Sequence, residues 1–492
     1  MRRRRGPGPR GRFDYGPVLA EAIEQMRIRG ATKKALQTGR SRLLLAGVLF
    51  LFGFAILAVR LFEVAVLKPD YEPRAASYSS DRYASTRADI VDRNGHLLAT
   101  NLPTASLYAD PTRILDVEEA VQKLVTVLPE LDPGMLRHRL ASERRFIWIK
   151  RHLTPKQKYE VNRLGLPGLA FLDSERRVYP HGALLAHLIG YTSIDNQGLA
   201  GLERSLDARL TSTALGAPEA LALSIELGVQ HVVHEELART TAEFNALGAA
   251  GLVLDVDTGE ILALVSLPDF DPNLPGIPEG KARFNRATLG IYEMGSTFKA
   301  FTVAMALDSG VVGLTDGYDA SQPIAISRYR ITDFHPQNRW LSVPEIILYS
   351  SNIGAAKMAL DVGAERQQDY LRRFGLLTPA AIELSEVGAP MAPATWRDIN
   401  TMTIGFGHGI AVSPLQLASG IAALVNGGIV RPATLLKRDN DEPVEGTRVI
   451  RAQVSDHMRA LLRLVVQGGT GKNAEAPGYL VGGKTGTAEK VT

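Results

Sequence analysis

The sequence predicts a multidomain α+β protein behind a single N-terminal transmembrane helix, and three observations carry that expectation. At 492 residues the chain exceeds what one compact core organises, so two or three domains are expected. From Leu43 to Val59 no charged residue occurs, and after Arg60 the apolar character resumes to Leu67. Beyond this run, short strand and helix signals mix irregularly, and further on a hairpin pattern followed by apolar helices predicts an antiparallel sheet covered by helices.

The tail comes first. Up to Arg42 there are twelve basic side chains against three acidic ones, although the whole chain is only +4, so the remainder is net negative. Gly6-Pro7-Gly8-Pro9 and the scarcity of apolar residues predict a disordered segment over 1–42, with a short helix through Val18 to Met26. Neither aromatic interleaving nor a folded module surrounds these arginines, so no nucleic-acid partner is expected. They act instead as a topology signal: the N-terminus stays in the cytoplasm and everything beyond Lys68 lies outside.

Residues 43–67 form the expected span. At about 1.5 Å of rise per residue they cross a hydrocarbon core of about 30 Å, provided that Arg60 snorkels or is paired. The run is longer than a signal-peptide core and no small-x-small cleavage pattern follows it. An inner-membrane, single-pass protein with an extracytoplasmic body follows from these residues.

Residues 68–210 read as a non-catalytic domain of many short pieces. Thr86 to Ala99 predicts two strands around an Asn94-Gly95 turn, Val117 to Leu128 a helix, and Arg145 to Lys150 a strand. Asp89, Asp92, Asp173, His181 and His187 lack the spacing of a metal site and are read as structural hydrogen-bonding groups. Residues 211–220 have linker composition, and 221–492 form the last domain. There a helix from Gly228 to Thr241 precedes a hairpin over Ala249 to Ser266 with an Asp257-Thr258-Gly259 turn, whose strands are expected to be central in a covered sheet.

The absence of cysteine excludes disulfides, cysteine metal sites and thiol catalysis, and leaves the redox compartment open. The candidate chemistry lies elsewhere. Glu293 to Leu307 is a small-residue turn running into an apolar helix expected to pack behind the hairpin, with Ser296 at its mouth and Lys299 one turn on along the same face. Unpaired N–H groups there favour developing negative charge. A desolvated lysine, its pKa drawn down from about 10.4, can take the serine proton.

Two further stretches join them. After a predicted helix over Val343 to Leu348, Ser350 and Asn352 stand two apart on a loop, where a hydroxyl can relay a proton and an amide can hold both a lysine and a carbonyl. Near the end, Leu480 to Glu489 reads as a glycine-rich edge strand in which Lys484 attracts a carboxylate and Thr485, Gly486 and Thr487 let a substrate backbone lie close. Gly478 to Thr485 also satisfies the phosphate-loop pattern letter for letter. Nucleotide binding needs a buried strand before that pattern and a helix after it, in contact with the cytoplasm, and the flanking residues supply neither.

The ordered set S-x-x-K, S-x-N, K-T-G resembles the penicillin-recognising serine enzymes. Gly295 to Lys299, Ser350 to Gly354, Gly405 to Gly409 with Ser413 to Leu417, and Gly483 to Ala488 look like class B penicillin-binding proteins. Arg87 to Gly95, Arg177 to Gly182 and Gly198 to Glu203 look like the pedestal motifs of that class. The compact pedestal, the span with Arg60 and Tyr179-Pro180-His181-Gly182 look most like the septal transpeptidase of cell division, with the elongation-type relative as the near alternative. Met294, Ala88 and Glu226 stand where the family usually has proline, glycine and aspartate. Its sheet usually continues past Thr487 with more strands and a closing helix, so the transpeptidase fold is expected to be truncated at its C-terminus.

The resemblance implies that Ser296 attacks the penultimate D-alanine carbonyl of a peptidoglycan stem peptide, with Lys299 as base, Ser350 as proton relay and Asn352 beside them. The N–H groups of Ser296 and Thr487 would form the oxyanion hole, and Lys484, Thr485 and Thr487 would hold the terminal carboxylate. An amine of a second stem then resolves the acyl-enzyme, and a β-lactam acylates the same serine. No metal or organic cofactor is implied. Partners implied are the membrane, a polytopic glycosyltransferase and other division proteins meeting the span and pedestal. The rival readings are a carboxypeptidase or β-lactamase using water as acceptor, a β-lactam sensor, for which the short tail offers no signalling domain, and a division scaffold with a vestigial site.

Overall fold

A computed structural model describes residues 45, 47–59, 87–211, 219–274, 280–326, 329–439 and 443–489. The tail 1–42, the rest of the expected span and nearly all of the 211–220 linker lie outside the described residues. Residues 45 and 47–59 are helical, with apolar side chains such as Phe50, Leu51 and Phe54 exposed. Among the described residues no helix is long and apolar enough to cross a membrane. The chain divides into two compact units, Met1–Tyr83 and Ala84–Thr492.

The second unit begins with strand β1 (Ile90–Val91), which pairs antiparallel with β2 (Leu97–Ala109). The turn between them is set by Asp92, whose Oδ1 accepts from the N–H groups of Asn94 and His96 at 2.8 Å each. Helix α1 (Val117–Val127) starts where the Asp116 carboxylate accepts from the N–H groups of Glu118 and Glu119, satisfying two of the donors a helix start leaves open. Strand β3 (Ile147–Leu153), helix α2 (Pro155–Arg163) and strand β4 (Leu169–Val178) follow. β2 pairs with β3 and, from Thr100↔Val178 to Ala109↔Leu169, with β4. Leu107, Ile147, Ile149 and Leu153 bury one face of this sheet with Val121 and Leu124 of α1 and Val161 of α2.

Helix α3 (Gly201–Ser205) carries the buried carboxylate of Glu203 into an ion cluster whose other acid, Asp207, reaches the surface. Glu203 is paired with Arg87 and, at 2.7 Å, with Arg177, and Arg87 reaches Asp207 at 2.7 Å. Strand β5 (Leu221–Ala222) then pairs parallel with β1, so the sheet continues past residue 220.

Helix α4 (Leu227–Glu243) precedes the hairpin of β6 (Ala249–Leu254) and β7 (Ile261–Leu267). Their turn forms because Asp255 Oδ1 accepts from the N–H groups of Asp257 and Thr258. The hairpin is covered by α4 and by a later helix over Pro414–Val425. Among the described residues, however, its strands pair only with each other and do not take the expected central place in a larger sheet, because no third strand lies beside them.

Helix α5 (Lys299–Ser309) is buried on every side from Lys299 to Leu307. It therefore does not pack behind the hairpin, as its sequence position suggested. A helix buried all round needs cover all round, and the hairpin belongs to a different core cluster. Cover comes from α6 (Val343–Leu348), α7 (Asn352–Val362), α8 (Asp398–Gly405), α9 (Pro414–Val425) and α10 (Ala452–Gly468). Phe301, for example, lies between Phe298 and Phe374, tilted against the first and edge-on to the second, with ring centroids 5.5 and 5.2 Å away.

The expected edge strand over Leu480 to Glu489 is not a strand. A ladder needs a partner strand, and this segment lies along a helix: Gly483 N–H donates to Leu462 O at 3.1 Å and Arg463 Nη1 donates to Val481 O at 2.8 Å, both from the side of α10.

Candidate active site

Ser296 sits in a 3₁₀ turn, Gly295–Phe298, that feeds α5, so it precedes the α-helix proper. The first N–H groups of such a turn have no partner within it. Gly295 is what allows the turn. Its φ is +54°, a conformation that costs glycine nothing, and a Cβ there would stand 2.2 Å from the carbonyl oxygen of Thr487. Gly295 N–H donates to Gly407 O at 3.2 Å, and Tyr292 and Val412 exchange backbone hydrogen bonds at 2.9 and 3.0 Å. The nucleophile turn is thus held between the Gly405-Phe406-Gly407-His408-Gly409 segment on one side and Thr487 on the other. Glu293 adds a clasp, accepting from Gly409 N–H at 2.8 Å while it faces His408 Nδ1 at 3.0 Å.

Lys299 is completely buried, and its Nζ is surrounded by oxygen. It donates to Ser296 Oγ at 2.8 Å, Ser350 O at 2.7 Å, Ser350 Oγ at 3.0 Å and Asn352 Oδ1 at 2.7 Å. Burial, and then the charge of Lys484, push its ammonium down to about 7, while Asp333 pulls the other way. Four acceptors around a group with three protons suit an amine that loses a proton and then receives one from a hydroxyl.

Ser350 lies in the loop after α6, whereas Asn352 is the first residue of α7. Ser350 has φ +60°, strained for a residue with a Cβ and worth about 1–3 kcal/mol. Its Oγ also accepts from Lys484 Nζ at 3.0 Å. With both lysines donating to it, the Ser350 hydroxyl proton is the one left to point elsewhere. Lys484 is lowered by burial to about 8. It also donates to Thr485 O at 3.0 Å, and Thr485 Oγ1 donates to Thr470 Oγ1 at 2.8 Å. Gly486 lies against the nucleophile turn, where a Cβ would be 2.6 Å from Met294 O. Ser296, Lys299, Ser350, Asn352 and Lys484 therefore form one connected polar chain, with Thr485, Gly486 and Thr487 beside it.

Several residues of this neighbourhood carry no sequence signal. Asn352 Nδ2 donates to Thr332 O at 2.8 Å, and the Asp333 carboxylate accepts from Ser351 Oγ at 2.7 Å and Ile353 N–H at 2.9 Å. Thr332 and Asp333 belong to no motif, and only a buried aspartate beside the serine pair marks them. The two pedestal histidines have carbonyl neighbours: His187 Nε2 lies 2.8 Å from Ala282 O and His181 Nε2 3.1 Å from Leu97 O.

Comparison with known proteins adds to this geometry. Residues 82–214 match the penicillin-binding protein dimerisation domain family, and residues 249–492 match the penicillin binding protein transpeptidase domain family. The Caulobacter vibrioides protein named probable peptidoglycan D,D-transpeptidase FtsI is 42% identical over 407 residues, 82% of this chain and 69% of its own. The Escherichia coli peptidoglycan D,D-transpeptidase FtsI is 33% identical over 482 residues, 91% of this chain and 81% of its own. A Neisseria meningitidis protein named probable peptidoglycan D,D-transpeptidase PenA is 32% identical over 509 residues, 97% and 86% of the two chains. Agreement of this extent across both halves of the sequence places the chain in the class B penicillin-binding protein family of peptidoglycan D,D-transpeptidases.

Proposed function

We propose that this chain is a membrane-anchored serine D,D-transpeptidase that cross-links peptidoglycan stem peptides during septal wall synthesis and is acylated by β-lactams. The observation that supports it most is the 2.8 Å contact between Lys299 Nζ and Ser296 Oγ, with the lysine buried and its pKa drawn to about 7. In the neutral form Lys299 accepts the Ser296 proton as Oγ attacks the carbonyl carbon of the penultimate D-alanine. The N–H groups of Ser296 and Thr487 receive the developing oxyanion, donors of a kind whose loss costs about 3 kcal/mol elsewhere. The C–N bond then breaks, and the departing D-alanine amine takes its proton from Lys299 by way of the Ser350 hydroxyl. Lys484, Thr485 and Thr487 hold the terminal carboxylate during this step. A second stem's amine next attacks the Ser296 ester and gives up a proton along the same route, and Ser296 is restored.

The anchor would be residues 43–67, and the exposed apolar side chains at 45 and 47–59 support that reading. In this arrangement 68–210 form a pedestal and 221–492 the transpeptidase domain, on the outer face of the inner membrane. A polytopic glycosyltransferase and further division proteins would meet the span and pedestal. The septal assignment rests on the resemblance of Tyr179 to Gly182 and the Arg60-bearing span to that branch.

Fluorescent penicillin should label the full chain, and Ser296→Ala should lose the label while its circular dichroism stays the same. Given a stem pentapeptide and an amine acceptor, the wild-type protein should yield the cross-linked product by mass spectrometry. Hydrolysis without cross-linking would refute transpeptidation, and labelling that survives Ser296→Ala would refute the nucleophile.

A further inference from the structure

We infer that Asp333 is a positioning residue that sets the orientation of Asn352 and the turn of Ser350 against the nucleophile. This deepens the reading of Ser296 and Lys299 as nucleophile and base, and rests on it. Asp333 follows strand β9 of the small hairpin formed by β8 (Ile324–Ile326) and β9 (Tyr329–Ile331). Asp333 is 9% exposed, and its carboxylate accepts from the residue on either side of Asn352: Ser351 Oγ at 2.7 Å and Ile353 N–H at 2.9 Å. The residue before it, Thr332, accepts from Asn352 Nδ2 at 2.8 Å.

These contacts decide which way the amide faces. With Nδ2 donating to the Thr332 carbonyl, Oδ1 is the atom turned to Lys299, 2.7 Å from Nζ. The same Ser351 hydroxyl that donates to Asp333 accepts from Gly354 N–H at 3.0 Å and so caps α7. Ser351 N–H donates to Ile346 O at 2.9 Å, which leaves the preceding residue, Ser350, to take up the left-handed φ of +60°. Two residues just past a hairpin thus brace the serine pair and the asparagine at the start of α7.

Charge supplies a second, separable effect. The charged groups that act on Lys299 are Lys484, which favours its neutral form, and Asp333, which favours the ammonium. Replacing the carboxylate by an amide of the same shape removes that opposition.

The test uses the full chain and two readouts. The first is the acylation rate by a fluorescent penicillin between pH 5 and 9, for wild type, Asp333→Asn, Asp333→Ala and Ser351→Ala. The second is the Lys299 titration, followed by the ¹³Cε resonance of labelled lysine, which needs no acylation. Asp333→Ala should slow acylation by about 10–100-fold, and Ser351→Ala, which removes one of the two contacts, by less. Asp333→Asn should move the Lys299 midpoint and the acidic limb of the rate profile to lower pH, which a purely structural aspartate would not do. If Asp333→Ala fails to fold, Asp333→Asn decides the case. A wild-type rate with an unmoved midpoint in Asp333→Asn would overturn the inference. A wild-type protein that is not acylated would instead refute the serine reading, and the lysine midpoint would still decide the role of Asp333.

Discussion

At the scale of single residues, the chemistry depends on keeping a buried amine near its titration point. Lys299 and Lys484 both donate to Ser350 Oγ at 3.0 Å, and both are pushed down, to about 7 and about 8. The first must lose its proton to act as base, and the second must keep its proton to attract a carboxylate. Acylation by a penicillin should therefore rise about tenfold per pH unit up to about 7 and fall again above about 8. Because the two groups interact, the limbs belong to the pair rather than to either lysine. Measured rates that climb steadily to pH 10 would remove Lys484 from carboxylate binding. Stability follows a different window. Between about pH 7 and 10.5 the unfolded chain holds a proton on Lys299 that the folded chain does not, so this group makes the fold more stable as pH rises across that window.

At the scale of elements, the nucleophile turn is a meeting of three chain segments with no room between them. Gly295 carries φ +54°, a Cβ on Gly407 would lie 1.9 Å from Gly295 O, and one on Gly295 would lie 2.2 Å from Thr487 O. Gly295→Ala should displace Thr487 from the turn and open the oxyanion site. Its acylation rate should fall by about 10²–10³ while α5, enclosed by its helical neighbours, keeps the domain folded. A stopped-flow comparison at a single pH is enough to check this, and a loss below tenfold would separate Thr487 from the oxyanion site. The serine and lysine spacing, the Val343–Leu348 helix and the Asp257-Thr258-Gly259 turn were readable from periodicity and turn chemistry. The place of α5 was not, because a largely apolar helix says that it is covered and not by what.

At the scale of the whole molecule, the first part of the Ala84–Thr492 unit is joined to the rest through the helix that holds its buried charges. Gly201 N–H donates to Glu386 Oε1 at 3.1 Å, and Ser205 Oγ donates to the carbonyl of Glu383. The Glu383 carboxylate accepts in turn from Thr434 Oγ1 at 2.5 Å and Leu435 N–H at 2.8 Å, and Thr288 Oγ1 donates to Glu386 O at 2.5 Å, eight residues before Ser296. Glu203, two residues after Gly201, pairs with both Arg87 and Arg177 away from water. Glu203→Ala leaves two guanidinium groups without their shared partner and should cost about 3–5 kcal/mol. Urea denaturation measures it, and a change below 1 kcal/mol would mean that water reaches the cluster.

The sequence by itself determined the local pieces. Gly295 before Ser296, Lys299 three residues on, Asp92 at its turn and Asp116 at its helix start each act over a few residues, where spacing dictates geometry. The ordering of S-x-x-K, S-x-N and K-T-G also announced a family. Only the tertiary structure decided that Asp333 lies under Ser351 and Ile353, that Val481 to Gly483 lies along a helix while Lys484 to Thr487 meets the nucleophile turn, and that α5 is wrapped by helices. Such contacts join residues far apart in the chain, and no local preference encodes them. They follow from which surfaces remain uncovered once every local element has formed.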